Sequence, residues 1–185
     1  WIFTQVFDKN PVLFHAGNLI LFIAIVALIY QIVYRLSRDC LLAFLTSLFY
    51  AAHPIHSMLV NYVTACNAST FVLTLEASFL FFMLYFPQRK NRLLILLSLF
   101  FFVLGLFSHE MSMIFPLFIV SYLYFIEKES WKSISLYSWA YFVMAGLYFL
   151  FRLKFFSLHR SIEGTTTMLP NLSAYIVTQV DLLGW

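Results

Sequence analysis

Long apolar runs separated by short polar loops dominate the chain. The first run, Val12 to Tyr34, holds 23 mostly apolar positions, and a helix of that length reaches roughly 34 Å at about 1.5 Å per residue. That is enough to cross a bilayer hydrocarbon core of about 30 Å. Further runs follow at Cys40–Ala52, Thr70–Phe86, Leu93–Phe107, Met111–Ile126 and Ile134–Phe151. The pattern predicts an all-α integral membrane protein, a bundle of about six transmembrane helices.

The segments between and after these runs are more polar. Ser57–Ser69 is mixed in character, which favours an interfacial or re-entrant segment. We assign residues 1–156 to the membrane bundle and residues 157–185 to an outer-face loop with an interfacial helix, since Leu172 to Leu183 is amphipathic. Because the chain opens on Trp1 and stops without a polar tail, we expect it to be part of a longer protein.

Composition excludes a soluble globular domain. Hydrophobic residues make up 63% of the chain and charged residues 10%, against about 45–50% and about 25% in soluble domains. The basic residues form short clusters between the apolar runs rather than a stripe, so no nucleic-acid partner is expected. Cys40 and Cys66 show no metal-ligand spacing.

The loops differ in charge when the runs are placed alternately across a membrane. Seven of the eleven Lys and Arg residues then share one side, which the positive-inside rule makes cytoplasmic. They are Arg35, Arg38, Arg89, Lys90, Arg92, Lys128 and Lys132. All five histidines fall on the opposite, outer side. The candidate chemistry is therefore expected on the non-cytoplasmic face.

His53 and His56 lie three positions apart at the end of the second run. Pro54 is well placed there as the first residue of a new helix, and at this spacing the two imidazoles share a helix face. Three interpretations stay open: a cap that hydrogen-bonds water or lipid headgroups, a site for a divalent metal ion, and a contact to an anionic substrate.

His109 and Glu110 lie between the fourth and fifth runs. A carboxylate near the bilayer edge is costly unless it is paired or hydrated, which favours a role in substrate binding. The alternative is a helix cap in which Ser108 accepts backbone N–H bonds and Glu110 stabilises the helix dipole. Glu76 lies inside the third run, so we expect it to face the bundle or a cavity rather than lipid.

Three more polar residues lie near the predicted outer face. Arg152 ends the last run, where its guanidinium suits a phosphate or simply extends to the interface. His15 and Asn18 lie in the first two turns of the first run, at helical spacing. Either of them is a candidate for the polar wall of a substrate site.

Three segments resemble a known family. They are FHAGNL at Phe14–Leu19, AHPIH at Ala52–His56, and FSHE at Phe107–Glu110 followed by Pro116. Over roughly residues 1–160 the chain resembles the multi-spanning C-type glycosyltransferases, above all the transmembrane, tetratricopeptide-containing O-mannosyltransferases and their bacterial relatives. The His-Pro-x-His element is the most specific part of the likeness.

The resemblance implies a transferase in a bacterial inner membrane or the endoplasmic reticulum membrane. It would take a sugar, with mannose as one candidate, from a polyprenyl-phosphate carrier and pass it to a protein or glycan acceptor on the non-cytoplasmic side. The family's catalytic acid lies in a first outer loop, which would precede Trp1, and Asp8 does not match it. The chain also departs from its relatives: Met58, Cys66 and Ala68 stand where those often carry an acid, an arginine and an aspartate.

Two other functions stay open. A polytopic transporter or lipid carrier is the first, because polar residues near broken helices also mark transport sites. A non-catalytic, degenerate relative is the second, because Met58 and Cys66 replace charged residues of the family.

Overall fold

The computed structural model describes residues 11–56, 60, 66–88 and 91–162. Within these residues the only regular secondary structure is helical. The α-helices are α1 (Pro11–Ser37), α2 (Cys40–Ala52), α3 (Cys66–Gln88), α4 (Arg92–Ser108), α5 (Phe115–Ser121) and α6 (Trp131–Ile162). A 3₁₀ turn at Pro54–His56 follows α2, and α5 is flanked by a 3₁₀ segment at Glu110–Ile114 and a π-helical segment at Tyr122–Ile126.

Three of the helices are long and apolar enough to cross a membrane, at Val12–Ser37, Asn67–Pro87 and Trp131–Lys154. The other apolar helical segments are shorter, at Cys40–Ala52, Arg92–Ser108 and Glu110–Ile126. Within the described residues this confirms the all-helical class and the presence of helices with membrane-spanning length and composition, whereas six full crossings and their sidedness stay predictions. Most of the predicted segment Ser57–Ser69 and all of Leu172–Leu183 lie outside the described residues.

Local chemistry at the polar loops sets several helix ends. Arg38 has a φ of 58°, and its N–H donates to the Tyr34 carbonyl, which closes α1 with a left-handed residue. Asp39 then caps α2, because its Oδ1 accepts from the N–H groups of Leu41 at 2.8 Å and Leu42 at 3.2 Å. Asn91 caps α4 in the same way through Leu93 N–H.

The fifth apolar run is not the single helix that its pattern predicts. A 3₁₀ segment, α5 and the π-helical segment succeed one another between Glu110 and Ile126. Pro116, in the first turn of α5, has no backbone N–H to continue the preceding hydrogen bonds, which explains why α5 starts there. We refer to Glu110–Ile126 as the broken helix.

The chain forms two compact units, Trp1–Gly146 and Leu147–Trp185. In the first unit α3 packs against α1 and α4, and α1 also packs against α2. Gly105 permits the approach of α4 to α3, because a Cβ there would lie 3.0 Å from Leu75 Cδ2. Helix α6 continues to Ile162, so the first residues of the loop predicted from Ser157 are helical.

An aromatic cluster with a polar centre forms the core of the first unit. Phe82, Phe102 and Tyr141 have no exposed surface. The centroid of the Tyr141 ring lies 5.9 Å from that of Phe82 and 5.5 Å from that of Phe102. The Tyr141 hydroxyl bonds the Ser98 hydroxyl at 2.5 Å, and Ser98 bonds the Ser78 carbonyl at 2.7 Å. Interhelical hydrogen bonds of this kind join α3, α4 and α6 without leaving polar groups to lipid.

The predicted orientation can be tested by cysteine labelling. We expect Ser37→Cys, introduced after Cys40 and Cys66 are replaced by serine, to resist a membrane-impermeant maleimide in intact cells, because its loop is predicted to lie on the basic, cytoplasmic side. Ile55→Cys, at an exposed position of the 3₁₀ turn that is predicted to lie on the outer side, should react in the same cells. Reaction of Ser37→Cys together with protection of Ile55→Cys would contradict the predicted orientation and indicate the opposite one.

Candidate functional site

An apolar groove lies between α1, α3 and the broken helix. Its cavity volume is about 720 Å³, within the range of about 300–1,000 Å³ typical of small-molecule sites. The residues that line it lie within Ile29–Leu36 of α1, Phe71–Phe79 of α3 and Met111–Ile126 of the broken helix. Met111, Phe118 and Phe125 are each more than half exposed, so the groove is open along the broken helix.

Glu76 is the one acidic residue among the residues that line the groove. It is the eleventh residue of the 23-residue α3 and therefore lies near the middle of the predicted span. Its Oε2 atom is buried and has no hydrogen-bond partner among the described residues. Tyr50 of α2 lies within electrostatic range of the carboxyl group. As predicted, Glu76 faces a cavity.

His109 is placed at the junction of α4 and the broken helix. Its extended backbone, with φ of −155°, ends α4 and begins the 3₁₀ segment. Its Nδ1 accepts a hydrogen bond from Met111 N–H at 3.2 Å, so the His109 side chain is the cap of this helix start. The alternative interpretation, with Ser108 as the cap, is wrong, because the Ser108 hydroxyl donates to the Leu104 carbonyl of the preceding turn.

This cap fixes the hydrogen-bonding character of the His109 ring. A ring nitrogen that accepts a hydrogen bond carries no proton, so the proton of the neutral imidazole is assigned to Nε2, which becomes a donor. The same ring packs on Phe71, with centroids 5.2 Å apart. Phe71 and Met111 both line the groove, so His109 lies at one end of it.

A second histidine repeats this arrangement at the end of α2. His53 Nδ1 accepts from Ile55 N–H at 3.3 Å, which again leaves Nε2 as the donor. Pro54 begins the 3₁₀ turn, as its position predicts. The His53 and His56 rings lie 5.8 Å apart, and His56 stacks on Tyr50 at 4.0 Å. Burial, followed by the nearby His53, lowers the pKa of His56, which favours its neutral form near pH 7.

The histidine geometry bears on the candidate metal site. Among the described residues, no group of three or more His, Cys, Asp or Glu side chains is placed to hold a metal ion. A metal-bound imidazole must offer a lone pair, whereas the lone pair at Nδ1 of His53 is engaged by Ile55 N–H. For His53, this favours contact with an acceptor group over coordination of a metal ion through Nδ1.

The remaining predicted site residues are dispersed. Glu110 is exposed beside His109, and Arg152 is exposed in the second unit. His15 is exposed on α1, while Asn18 is 2% exposed. Because packing buries Asn18 and leaves His15 exposed, the two residues do not present one polar wall. Neither Phe71 nor Tyr50 was expected near the site, since aromatic residues are frequent throughout the chain.

Comparison with known proteins identifies no relative. No family model, curated protein or solved structure matches the chain.

Proposed function

We propose that this chain is the membrane portion of a glycosyltransferase that takes a sugar from a polyprenyl-phosphate carrier and passes it to a protein or glycan acceptor on the non-cytoplasmic side. The resemblance of AHPIH and FSHE to the C-type glycosyltransferases suggests it. The observation that carries it is His109, a fixed hydrogen-bond donor at the end of an open apolar groove.

A lipid-linked phosphate matches both parts of that arrangement. Phosphate oxygens accept hydrogen bonds, and the Nε2–H group of His109 has the required polarity. The isoprenoid chain is hydrocarbon, which suits the groove wall at Phe71, Met111 and Phe115. Because the groove is open on the side of the broken helix, a membrane lipid could enter it laterally.

His53 and His56 are proposed to contact the same carrier or its sugar. His53 is also fixed as a donor by its own backbone. The stack of His56 on Tyr50 brings this pair toward the groove, since Tyr50 lies within electrostatic range of Glu76. Glu110 and Arg152 stay candidate contacts on the strength of their sequence positions alone.

A lipid carrier or transporter is the second candidate function. Glu76 favours it, because an acid with an unpartnered oxygen inside a span is a usual mark of a substrate or ion pathway. Turnover of a labelled polyprenyl-phosphate sugar by the full-length protein distinguishes the two, since a carrier moves its lipid without breaking the sugar-phosphate bond.

The donor role of His109 is separable from its cap role by substitution. We expect His109→Asn to keep the thermal stability of the full-length protein, because the asparagine carbonyl can accept from Met111 N–H. Loss of the Nε2–H donor should raise the KM for the lipid donor about tenfold, which corresponds to one charge-assisted hydrogen bond of about 1.4 kcal/mol. Transfer of labelled sugar in proteoliposomes measures KM, and a thermal scan in detergent measures stability.

Two further variants interpret that result. His109→Ala should lose both the donor and the cap, so its melting temperature should fall together with its donor affinity. Glu129→Gln, in the polar loop before α6 and outside the groove, should leave the KM for the lipid donor unchanged. A wild-type KM in His109→Asn would show that the histidine is only a cap, and the proposed carrier site would then lose its main support.

A further inference from the structure

The groove combines aromatic walls with a single acidic group. Six aromatic side chains line it: Phe71, Phe79, Phe115, Phe118, Tyr122 and Phe125. Glu76 is the acid, and none of the lining residues is Lys, Arg or His. The hydroxyl of Tyr122 is bonded to Glu127 and that of Ser121 to the Leu117 carbonyl, so these groups are already satisfied. Glu76 therefore dominates the polarity of the groove.

A carboxyl oxygen without a hydrogen-bond partner is costly inside a span, and a bound cation would offset that cost. Charged groups inside a span are stable when they are paired or solvated, and Glu76 Oε2 has no protein partner among the described residues. Aromatic faces attract cations as well, by about 0.5–2 kcal/mol for each favourable ring. Both features select for positive charge on an otherwise apolar ligand.

We propose that the groove is a binding site for a compact lipophilic organic cation, whose positive centre lies against Glu76 and whose apolar substituents pack on the aromatic walls. The cavity of about 720 Å³ accommodates a ligand of several rings. The site does not depend on the transferase activity proposed above, although an occupant would compete with the isoprenoid chain for the same walls.

Other cations fit the groove less well. A metal ion such as Ca²⁺ or Mg²⁺ requires about six or more oxygen ligands, whereas the groove offers one carboxyl group. A lipid amine keeps its ammonium group at the membrane interface, while Glu76 lies ten residues from the start of α3, about 15 Å along the helix. A cation with charge buried among apolar groups avoids both difficulties.

Tetraphenylphosphonium is a suitable probe, because its charge is shielded by four aromatic rings. We expect the purified full-length protein in detergent to bind radiolabelled tetraphenylphosphonium saturably, at one site per chain, in equilibrium dialysis without any sugar donor. Tetraphenylborate has the same shape and the opposite charge, so it should not displace the label. This comparison separates charge recognition from simple partitioning into an apolar surface.

Substitutions assign the binding to the groove. Glu76→Gln keeps the shape and removes the acid that would become the counter-ion of the cation, and we expect it to weaken phosphonium binding at least about tenfold. Phe118→Leu removes one aromatic face at a position that is 58% exposed, so folding should be preserved while affinity falls about two- to fivefold. Glu129→Gln removes a charge outside the groove and should bind like the wild type.

Either of two results would overturn the proposal. One is wild-type affinity for tetraphenylphosphonium in both Glu76→Gln and Phe118→Leu. The other is competition by tetraphenylborate as effective as that by unlabelled phosphonium. The binding assay contains no lipid donor, so it is independent of the transferase activity. Impaired sugar transfer with intact phosphonium binding in His109→Asn would show that the two proposals are separate. Intact transfer with impaired phosphonium binding in Glu76→Gln would show the same.

Discussion

Replacing Phe82 by alanine is expected to lower the free energy of unfolding by about 3–5 kcal/mol, the range for a buried phenylalanine. The Phe82 side chain has no exposed surface. Its ring contacts Phe86, Tyr122 and Tyr141, so its removal leaves a cavity where α3 meets the broken helix and α6. A cluster of rigid rings fills such a cavity poorly, which favours the upper part of the range.

Thermal unfolding in detergent measures this effect, with Phe44→Ala as the matched control. Phe44 is 54% exposed on α2, and substitution at an exposed position usually changes stability by less than about 0.5 kcal/mol. Equal melting temperatures for the two variants would contradict the assignment of Phe82 to the core. Because Tyr122 lines the groove as well, a collapsed core in Phe82→Ala should also weaken phosphonium binding.

The helix limits that the sequence predicts well are those where apolar runs meet strong polar caps. Cys40–Ala52 is found as predicted, because Asp39 supplies the start signal and His53-Pro54 the end. The broken helix was not predicted as such, since its hydrophobicity is continuous from Met111 to Ile126. Pro116 was the available signal for the change at α5, whereas the π-helical segment has no comparable mark in the sequence.

The candidate site was predicted only at the level of residue types. The histidines at helix ends were predicted to be hydrogen-bonding groups or metal ligands. The choice between those roles depends on which ring nitrogen accepts a hydrogen bond from the local backbone. For His109 and His53 that choice follows from bonds to Met111 and Ile55 N–H. His15 and Asn18 show the opposite case: their spacing is helical, and packing nonetheless buries one and exposes the other.

The groove itself was not predictable, because it depends on how far apart α1, α3 and the broken helix lie. Sequence patterns place apolar residues on helices without specifying where side chains leave a void. Glu76 was the one usable indication. An acid within an apolar run must face something other than lipid, and here it faces a groove open along one wall.

Glu76→Leu is expected to stabilise the protein while removing cation binding. A buried polar atom without a partner costs about 1–3 kcal/mol, and Glu76 Oε2 is such an atom. Leucine has no polar atom, and it would extend the apolar surface shared with Val72, Leu75 and Phe79. The free energy of unfolding should therefore rise by about 1–3 kcal/mol, with phosphonium binding reduced at least as far as in Glu76→Gln.

The expected order of stability among the Glu76 variants makes this prediction specific to the carboxyl group. Glutamine keeps a polar group that needs a partner, so Glu76→Gln should be stabilised less than Glu76→Leu. Saturating phosphonium should raise the melting temperature of the wild type and leave that of Glu76→Leu unchanged, because a ligand stabilises only a folded state that binds it. A lower melting temperature for Glu76→Leu than for the wild type without ligand would mean that the carboxyl group has a structural partner. A protein that becomes more stable when this acid is removed keeps the acid at a cost to its fold, which is the pattern expected of a residue retained for binding.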